Sequence, residues 1–230
     1  MTGSIELDCR PTSARVSLNE PVVVDCTIAN RTGVARRIDL GADRVGAFVI
    51  SIEAPIGGAT GDLRCEPGGF VQSGNIEIPP HSASVERLLL QRWYRFAVEG
   101  RYTVRLALIE GSTGVSAPAF EVNVLPRDPA RLREVAESLA TVAMSHGDAE
   151  RSGKAAEALS CIADPVAVPY LVQLAAHGHA STVQAIEGLT RIDDDSARAQ
   201  LQVLAADRNQ EIAALARRAL RGAPGGTVMD

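Results

Sequence analysis

The chain of 230 residues has few aromatic residues, no long apolar run and no excess of positive charge. Phe, Trp and Tyr together make up 3% of it. No apolar stretch reaches the roughly 18 residues that predict a transmembrane helix. The net charge is −5 and is spread evenly, so neither half has the basic surface that binds phosphate backbones. A transmembrane span and a nucleic-acid partner are therefore both disfavoured.

Sequence motifs of catalysis are also missing. The chain has no nucleophile elbow, P-loop or dinucleotide fingerprint. Gly57–Gly61 is rich in glycine, but no lysine or helical pattern follows, so it predicts a hairpin loop. His177-Gly178-His179 lacks a third metal ligand, and Asp193-Asp194-Asp195 lacks the glycine and glutamate of a calcium loop, so both favour helix ends. We expect no enzyme activity, no cofactor and no metal site.

The aromatic residues that are present divide the chain into two parts. Seven of the eight lie before residue 127, and only Tyr170 lies after it, where Ala and Leu dominate. Aromatic and β-branched residues favour strands, whereas Ala and Leu favour helices. Pro126-Arg127-Asp128-Pro129 separates the parts, since Asp128-Pro129 is a helix cap followed by a first-turn proline. The sequence predicts a β domain over 1–126 and a helical domain over 127–230.

The first part shows the period-two alternation of strands. Apolar residues recur at every second position over 5–9, 21–29, 48–53, 102–108 and 120–124, with Gly, Pro or Asn turns between them. Short strands of this kind predict an antiparallel β-sandwich with one dry face on each sheet. In Trp93-Tyr94-Arg95-Phe96, alternation places Tyr94 and Phe96 in the core and turns Trp93 and Arg95 outward. Trp93 and Arg95 are therefore candidate interface residues.

Four short segments of this part resemble bacterial immunoglobulin-like domains. They are Leu18-Asn19-Glu20-Pro21-Val22, Asn30-Arg31-Thr32-Gly33, Pro79-Pro80-His81 and Glu99-Gly100-Arg101-Tyr102-Thr103-Val104. In such domains a polar-Glu-Pro-apolar turn opens the second strand, and a Gly-x-Tyr-x-Val strand lies near the end. The resemblance implies an immunoglobulin-like sandwich, although the Cys…Trp…Cys spacing of antibody domains is absent.

The second part repeats itself with a period of thirty residues. Glu157–Asp164 recurs as Glu187–Asp194, and Leu171 and Leu174 recur as Leu201 and Leu204. A fixed period of this length predicts an α-solenoid, in which each unit buries its apolar face against its neighbours. Its helices are predicted at the following positions: 129–145, 149–163, 165–177, 180–192, 195–206 and 209–221.

The repeat also resembles the HEAT-like repeats named after phycobilisome lyases. Ala155–Leu171 matches that core motif closely, and Ala185–Leu201 keeps its apolar skeleton with Asp195 in place of Pro165. A third, partial copy is Ala216–Leu220. The resemblance implies a fold but no single function, because such repeats occur in many unrelated binding proteins.

The four cysteines do not decide whether the protein is cytoplasmic or extracytoplasmic. Alternation turns Cys9 and Cys26 inward, and Cys65 lies near a loop end. A Cys9–Cys26 or Cys9–Cys65 disulfide fits an extracytoplasmic bacterial protein whose leader has been removed, whereas buried thiols fit a cytoplasmic one. No signal peptide precedes the first strand, but a processed chain would look the same. Cys161, on a predicted helix, is expected to be a buried thiol outside any disulfide.

These features favour a non-enzymatic protein-binding or scaffold module. The concave face of the predicted solenoid and its junction with the sandwich are the expected binding surfaces. The candidate residues on the second helices of the repeats are Tyr170, Gln173, His177, Gln200 and Val203. Two alternatives remain: a lyase- or chaperone-like helper protein, suggested by the family name of the repeat, and a structural part of a cell-envelope assembly. The partner and the oligomeric state do not follow from the sequence.

Overall fold

The computed structural model describes residues 4–41, 46–56, 74–110, 113–145 and 147–222. The predicted Gly57–Gly61 hairpin and Cys65 lie outside these residues. The chain divides into two compact units. The first contains Met1–Leu18 and Val22–Pro126, and the second contains Asn19–Pro21 and Arg127–Asp230.

The described part of the first unit contains ten strands. They are β1 (Ile5–Pro11), β2 (Arg15–Ser17), β3 (Val23–Asn30), β4 (Arg36–Asp39), β5 (Phe48–Glu53), β6 (Asn75–Ile78), β7 (Ala83–Leu89), β8 (Gly100–Glu110), β9 (Thr113–Ser116) and β10 (Phe120–Leu125). One sheet has the order β1-β3-β7. A second has the order β2-β10-β8-β5, with β9 also paired to β8, and β4 pairs with β6. All of these pairs are antiparallel except β2 with β10.

Alternation along the strands builds one hydrophobic core from both larger sheets. On β1, Ile5, Leu7 and Cys9 are buried, while Glu6 and Arg10 between and beside them are exposed. Inward residues of the other strands, such as Val24 on β3, belong to the same buried cluster. Period-two patterning therefore placed the dry faces of these strands correctly.

A disulfide joins the first two strands of the three-stranded sheet. Cys9 and Cys26 lie directly opposite each other in the β1–β3 register, with their Cα atoms 4.1 Å apart. Opposite residues of an antiparallel pair lie about 4.5–5.5 Å apart, which is within reach of a disulfide. Of the pairings that the sequence left open, the structure contains Cys9–Cys26. Cys161 is buried and forms no disulfide, as predicted.

Tyr102 anchors the start of β8. Its hydroxyl donates a hydrogen bond to the carbonyl oxygen of Val98 at 2.8 Å, and its ring is fully buried. The Phe96 ring packs edge-on against it with centroids 4.9 Å apart, and Tyr94 contacts both rings. The hydrogen bond satisfies the one polar atom of an otherwise apolar side chain, so the tyrosine can be buried completely.

The segment around Trp93 differs from its prediction. Leu90–Arg92 forms a short 3₁₀ helix, and the N–H groups of Trp93 and Tyr94 both donate to the carbonyl oxygen of Leu90. Strand alternation does not apply to such a turn. Trp93 is therefore half-buried against the core of the first unit instead of projecting outward.

The second unit contains six α-helices. They are α1 (Pro129–Ala143), α2 (Ala149–Ser160), α3 (Val168–Ala175), α4 (His179–Arg191), α5 (Asp195–Ala205) and α6 (Gln210–Gly222), with a 3₁₀ turn at Pro165–Ala167 before α3. Their ends lie within one turn of the predicted bounds. None of the helices that the structure describes has the length and apolar character needed to cross a membrane.

Aspartates cap the starts of four of these segments, among them Asp148, which accepts from the Arg151 N–H at the start of α2. The Asp128 carboxylate accepts hydrogen bonds from the N–H groups of Ala130 and Arg131 at the start of α1. Asp164 caps the 3₁₀ turn in the same way, and Asp194 caps α5. Each cap satisfies backbone donors that a helix start leaves without an intrahelical partner.

The helices repeat with the period of the sequence. α2 and α4 begin thirty residues apart, and so do the Pro165 turn and α5. α1 packs on α2, α3 on α4 and α5 on α6. α2 also contacts α4, α4 contacts α6, α1 contacts α3, and α3 contacts α5. The odd-numbered helices therefore form one layer and the even-numbered helices another, with a single core between them.

Candidate binding face of the helical unit

The buried sides of α3 and α5 are equivalent and apolar. Leu171 and Leu174 of α3 are fully buried, and Leu201 of α5 is nearly so. Ala167 and Ala197, which are also repeat equivalents, are buried beside them. Small and large apolar residues at these spacings lie on one side of a helix and fix which side remains for solvent.

The opposite sides of these two helices form a surface that carries almost no charge. We name this surface the α3–α5 face. It comprises the exposed residues Pro169, Gln173, Ala176, His177, Ala199, Gln202, Val203 and Ala206 and the half-buried residues Tyr170 and Gln200. No Asp, Glu, Lys or Arg occurs in 168–177 or in 199–206. Charges flank the face at both ends of α5: Asp195 and Arg198 in its first turn, which pair with each other at 3.7 Å, and Asp207 directly after Ala206.

The repeat aligns the residues of this face in rows. Pro169 and Gln173 of α3 and its C-cap residue Ala176 correspond to Ala199 and Val203 of α5 and its C-cap residue Ala206 at the thirty-residue offset. Val203 is 65% exposed, and it is the one large apolar side chain of the described helical unit found so open to solvent. The face is therefore apolar and amide-bearing in a protein whose residues are 22% charged.

The other layer of helices presents a different surface. The exposed residues of α2 include Glu150 and Arg151, and α6 exposes Arg217, Arg218 and Arg221. A charged, solvated outer side is what a surface helix ordinarily shows. Protein interfaces, by contrast, are depleted of charged residues at their centre. The exposed sides of α3 and α5 therefore have the composition of an interface, whereas α1, in the same layer, exposes Arg133, Glu134 and Glu137.

The five candidate residues predicted on the helices lie on or directly after α3 and on α5. Gln173, His177 and Val203 are exposed on the α3–α5 face, and Gln200 is half-buried at its side. Tyr170 is half-buried and packs against the helical core, so part of its ring serves the fold. Trp93 and Arg95 belong to the first unit, where Arg95 is exposed and Trp93 packs against that unit's core.

Sequence reasoning missed the small and uncharged members of the face. Pro169, Ala176, Ala199, Gln202 and Ala206 carry no distinctive chemistry, so none of them stands out individually. The signal that could have found them is the charge gap over 168–177 and 199–206. Both gaps contain the outer side of a second repeat helix.

A pair of carboxylates is buried near the start of α1, and each is held by an arginine. Asp164, 1% exposed, accepts from Arg127 Nε at 2.6 Å and from Arg127 Nη2 at 3.0 Å. Glu20, also buried, accepts from Arg131 Nε at 2.6 Å and from Nη2 at 2.9 Å. Two-pronged pairs of this kind satisfy the charge and geometry of both partners. In both pairs, therefore, two hydrogen bonds from one guanidinium occupy the buried carboxylate.

The environment of Asp164 acts on its ionisation in opposite directions. Burial alone would raise the pKa of Asp164. Hydrogen bonds from Arg127 and from the Val166 N–H, together with the positive charge of Arg127 and a hydrogen bond from Asn19, outweigh it and hold the pKa below its ordinary value. The same pairing raises the pKa of Arg127. Asp164 is therefore ionised at neutral pH and serves as a structural anion.

The two other polar segments noted in the sequence, 193–195 and 177–179, lie beside the starts of α5 and α4. Asp194, in the acidic run, accepts from the backbone N–H of Ser196 as a helix cap. Gly178 directly precedes α4 with φ of 143°, a conformation that favours glycine. No group of three His, Cys, Asp or Glu residues suited to a metal ion occurs among the described positions.

Two depressions lie on the helical unit. One, lined by residues that include Leu189, Asp194 and Arg198, has a volume of about 10 Å³, enough for about one water molecule. The other runs along α1 beside Val135, Ser138 and Leu139 and is open to solvent. Ligand cavities typically measure about 300–1,000 Å³. The first depression is far smaller, and the second, of about 550 Å³, is an open groove and not an enclosed cavity.

Comparison with known proteins assigns no family to the chain. No family description and no curated protein matches it. Among solved structures, a β-glucosidase from Listeria innocua in complex with isofagomine is similar over 53% of this chain, with 13% identity and a TM-score of 0.32. This chain spans only 16% of the length of that enzyme.

Two other solved structures are similar at the same level. The sporulation control protein Spo0M from Bacillus subtilis matches 60% of this chain and 56% of its own, with 14% identity and a TM-score of 0.33. The alkylpurine DNA glycosylase AlkC from Pseudomonas fluorescens, bound to DNA containing an abasic site analog, matches 54% and 30%, with 11% identity and a TM-score of 0.29. Similarity this low carries no argument about function.

Proposed function

We propose that the protein is a non-enzymatic binding module that holds a protein partner on the α3–α5 face. The observation that carries the proposal is the absence of charge on the outer sides of α3 and of α5 beyond its first turn, against the charged exposed sides of α1, α2 and α6. Burying a charged side chain without a partner is costly, so a surface that is covered by another protein avoids such residues. Val203, the most exposed apolar side chain of the unit, is the contact that we expect to matter most.

The proposal includes an architecture for each unit. Two features support an immunoglobulin-like β-sandwich in the first: a core shared by both larger sheets, and the hydrogen bond from the Tyr102 hydroxyl back to Val98. A tyrosine near a strand start that bonds to the backbone a few residues upstream is a feature of immunoglobulin-like domains. The disulfide departs from the antibody pattern, because Cys9 and Cys26 join neighbouring strands of one sheet.

For the second unit we propose a short HEAT-like solenoid. The thirty-residue spacing of helix starts and the two-layer contacts among the six helices support it. In such arrays one helix of every repeat faces the same side, so equivalent residues of successive repeats form one continuous surface. The α3–α5 face would be that surface.

The test compares affinity capture from the native host by three forms of the full chain: the wild type, Val203→Glu and Val85→Glu. Val85 on β7 is 59% exposed, so its substitution is a matched change in the other unit. We expect a captured protein that is retained by Val85→Glu and lost by Val203→Glu, with unchanged melting curves for both variants. A set of captured proteins that is identical for the two variants would refute a role for this face.

A further inference from the structure

We infer that the partner on the α3–α5 face is a short amphipathic helix of two to three turns that presents an uncharged, apolar side. This inference rests on the proposed function and specifies the kind of partner. A second copy of the chain and a whole folded domain are the occupants that it rejects.

The first argument is the area of the face. α3 has 8 residues and α5 has 11. At about 1.5 Å of rise per residue, they are roughly 12 and 16 Å long. Packed helices lie about 8–10 Å apart and each is about 10 Å wide, so the pair offers a footprint on the order of 300 Å². A stable interface between folded proteins buries about 800 Å² on each side, which this face alone does not supply.

The second argument is the spacing of the exposed side chains. Along α3 and its C-cap the rows fall at Pro169, Gln173 and Ala176, and their equivalents along α5 and its C-cap are Ala199, Val203 and Ala206. Successive rows are therefore four and three residues apart, about one helical turn. A partner helix lying along α3 and α5 places its own residues i, i+4 and i+7 at the same intervals.

The length of the face favours a helix over an extended strand. A strip of 12–16 Å covers only about four or five residues of an extended chain, of which every second one points at the surface. The same strip covers about eight to eleven residues of a helix, with three anchors. A helix therefore makes more contacts within the area available.

The third argument is the charge of the face. A charged anchor of the partner in the middle of the face would lie against methyl groups and side-chain amides, and its lost hydration would not be compensated there, because 168–177 and 199–206 contain no charged residue and Asp195, Arg198 and Asp207 lie at the ends of α5. The contact side of the partner helix must therefore be uncharged. Its charged residues belong on the opposite side, where they stay in water.

The test selects binders from a phage-displayed library of random 14-residue peptides on the immobilised full chain, with Val203→Glu as the counter-selection. We expect enriched peptides to share uncharged apolar residues at i, i+3 or i+4, and i+7. We expect synthetic versions to become helical on binding, by circular dichroism, and to bind Val203→Glu at least tenfold more weakly than Val85→Glu. Enrichment of extended, proline-rich or charged motifs would overturn the inference, and so would a library that yields no binder sensitive to Val203→Glu.

Sedimentation of the full chain supplies a second, independent arm. We expect a monomer over the range of concentrations used for the peptide measurements. A dimer that Val203→Glu dissociates would overturn the inference in favour of a second copy, while it would still support the face as a binding surface. The proposed function itself is tested separately, by the capture experiment from the native host. It fails if no captured protein depends on Val203.

Discussion

The two complete repeats of the helical unit begin their second helices alike and differ in how they hold the capping aspartate. Asp164 and Asp194 are repeat equivalents with nearly the same extended backbone, and both accept from the N–H two residues ahead. Asp164 also binds Arg127 through two hydrogen bonds and is buried, whereas Asp194 is half-exposed and bonds to Ser196. The cap thus belongs to the repeat, while the ion pair belongs to one place in the array.

The largest effect that we predict concerns the core positions shared by the repeats. Leu171→Ala and Leu201→Ala should each lower the free energy of unfolding by about 2–5 kcal/mol, because both side chains are buried and the cavity cannot fully collapse. Leu171 should lose more, since α3 contacts both α1 and α5. Denaturant titration of the full chain measures both. Losses below about 1 kcal/mol at both positions would contradict the register of the repeats.

Substitution by asparagine should change the free energy of unfolding by different amounts at the two capping aspartates. Asparagine caps helices as well as aspartate does, so Asp194→Asn should leave stability essentially unchanged. Asp164→Asn keeps the cap but removes the charge that Arg127 binds, and Arg127 is itself 46% exposed. We expect a loss of about 2 kcal/mol, typical of hydrogen bonds to charged groups. Equal losses at the two positions would show that Arg127 contributes nothing to the difference.

The ion pair of Asp164 should also make the stability of the chain depend on pH. The pKa of Asp164 is lower in the folded chain than its ordinary value, so its ionised form favours folding. This contribution is complete above the ordinary aspartate range and is lost as pH falls through the lowered value. In Asp164→Asn, stability should fall less between pH 5 and pH 2 than in the wild type. An unchanged acid limb in chemical denaturation at successive pH values would speak against the pairing.

Local sequence signals predicted the helices well, but they did not predict the contacts between residues far apart in sequence. Asp128-Pro129 and Asp164-Pro165 mark helix starts through residues adjacent in sequence, so the bounds follow from the chain itself. The Arg131–Glu20 pair joins residues 111 positions apart, and no local pattern announces it. Its existence depends on the tertiary fold.

The strands show a similar limit. β7 was not predicted, because Glu86 lies on its buried side and breaks the apolar alternation on which strand prediction depends. β2 and β4, with 3 and 4 residues, are too short to establish a period. In the candidate face, exposure of Gln173 and Val203 followed from helical periodicity, whereas the half-burial of Tyr170 depends on what packs beside it.

The smallest destabilisation that we predict at a packed position concerns Gly188, which we compare with a second helical glycine. A Cβ added at Gly188 of α4 would lie 2.7 Å from Leu171 Cδ2 and 3.0 Å from the Ser160 Cα, both closely packed. Overpacking of a core typically costs about 1–3 kcal/mol, and the better helix propensity of alanine returns up to about 1 kcal/mol of that. Gly188→Ala should therefore be destabilising by about 1 kcal/mol in denaturant titration.

Gly153→Ala on α2 is the matched control, because nothing lies within 4 Å of its added Cβ. It should gain about 0.5–1 kcal/mol from helix propensity alone. If both substitutions stabilised the chain equally, the close approach of α4 to Leu171, and with it the tight packing between the repeats, would be wrong.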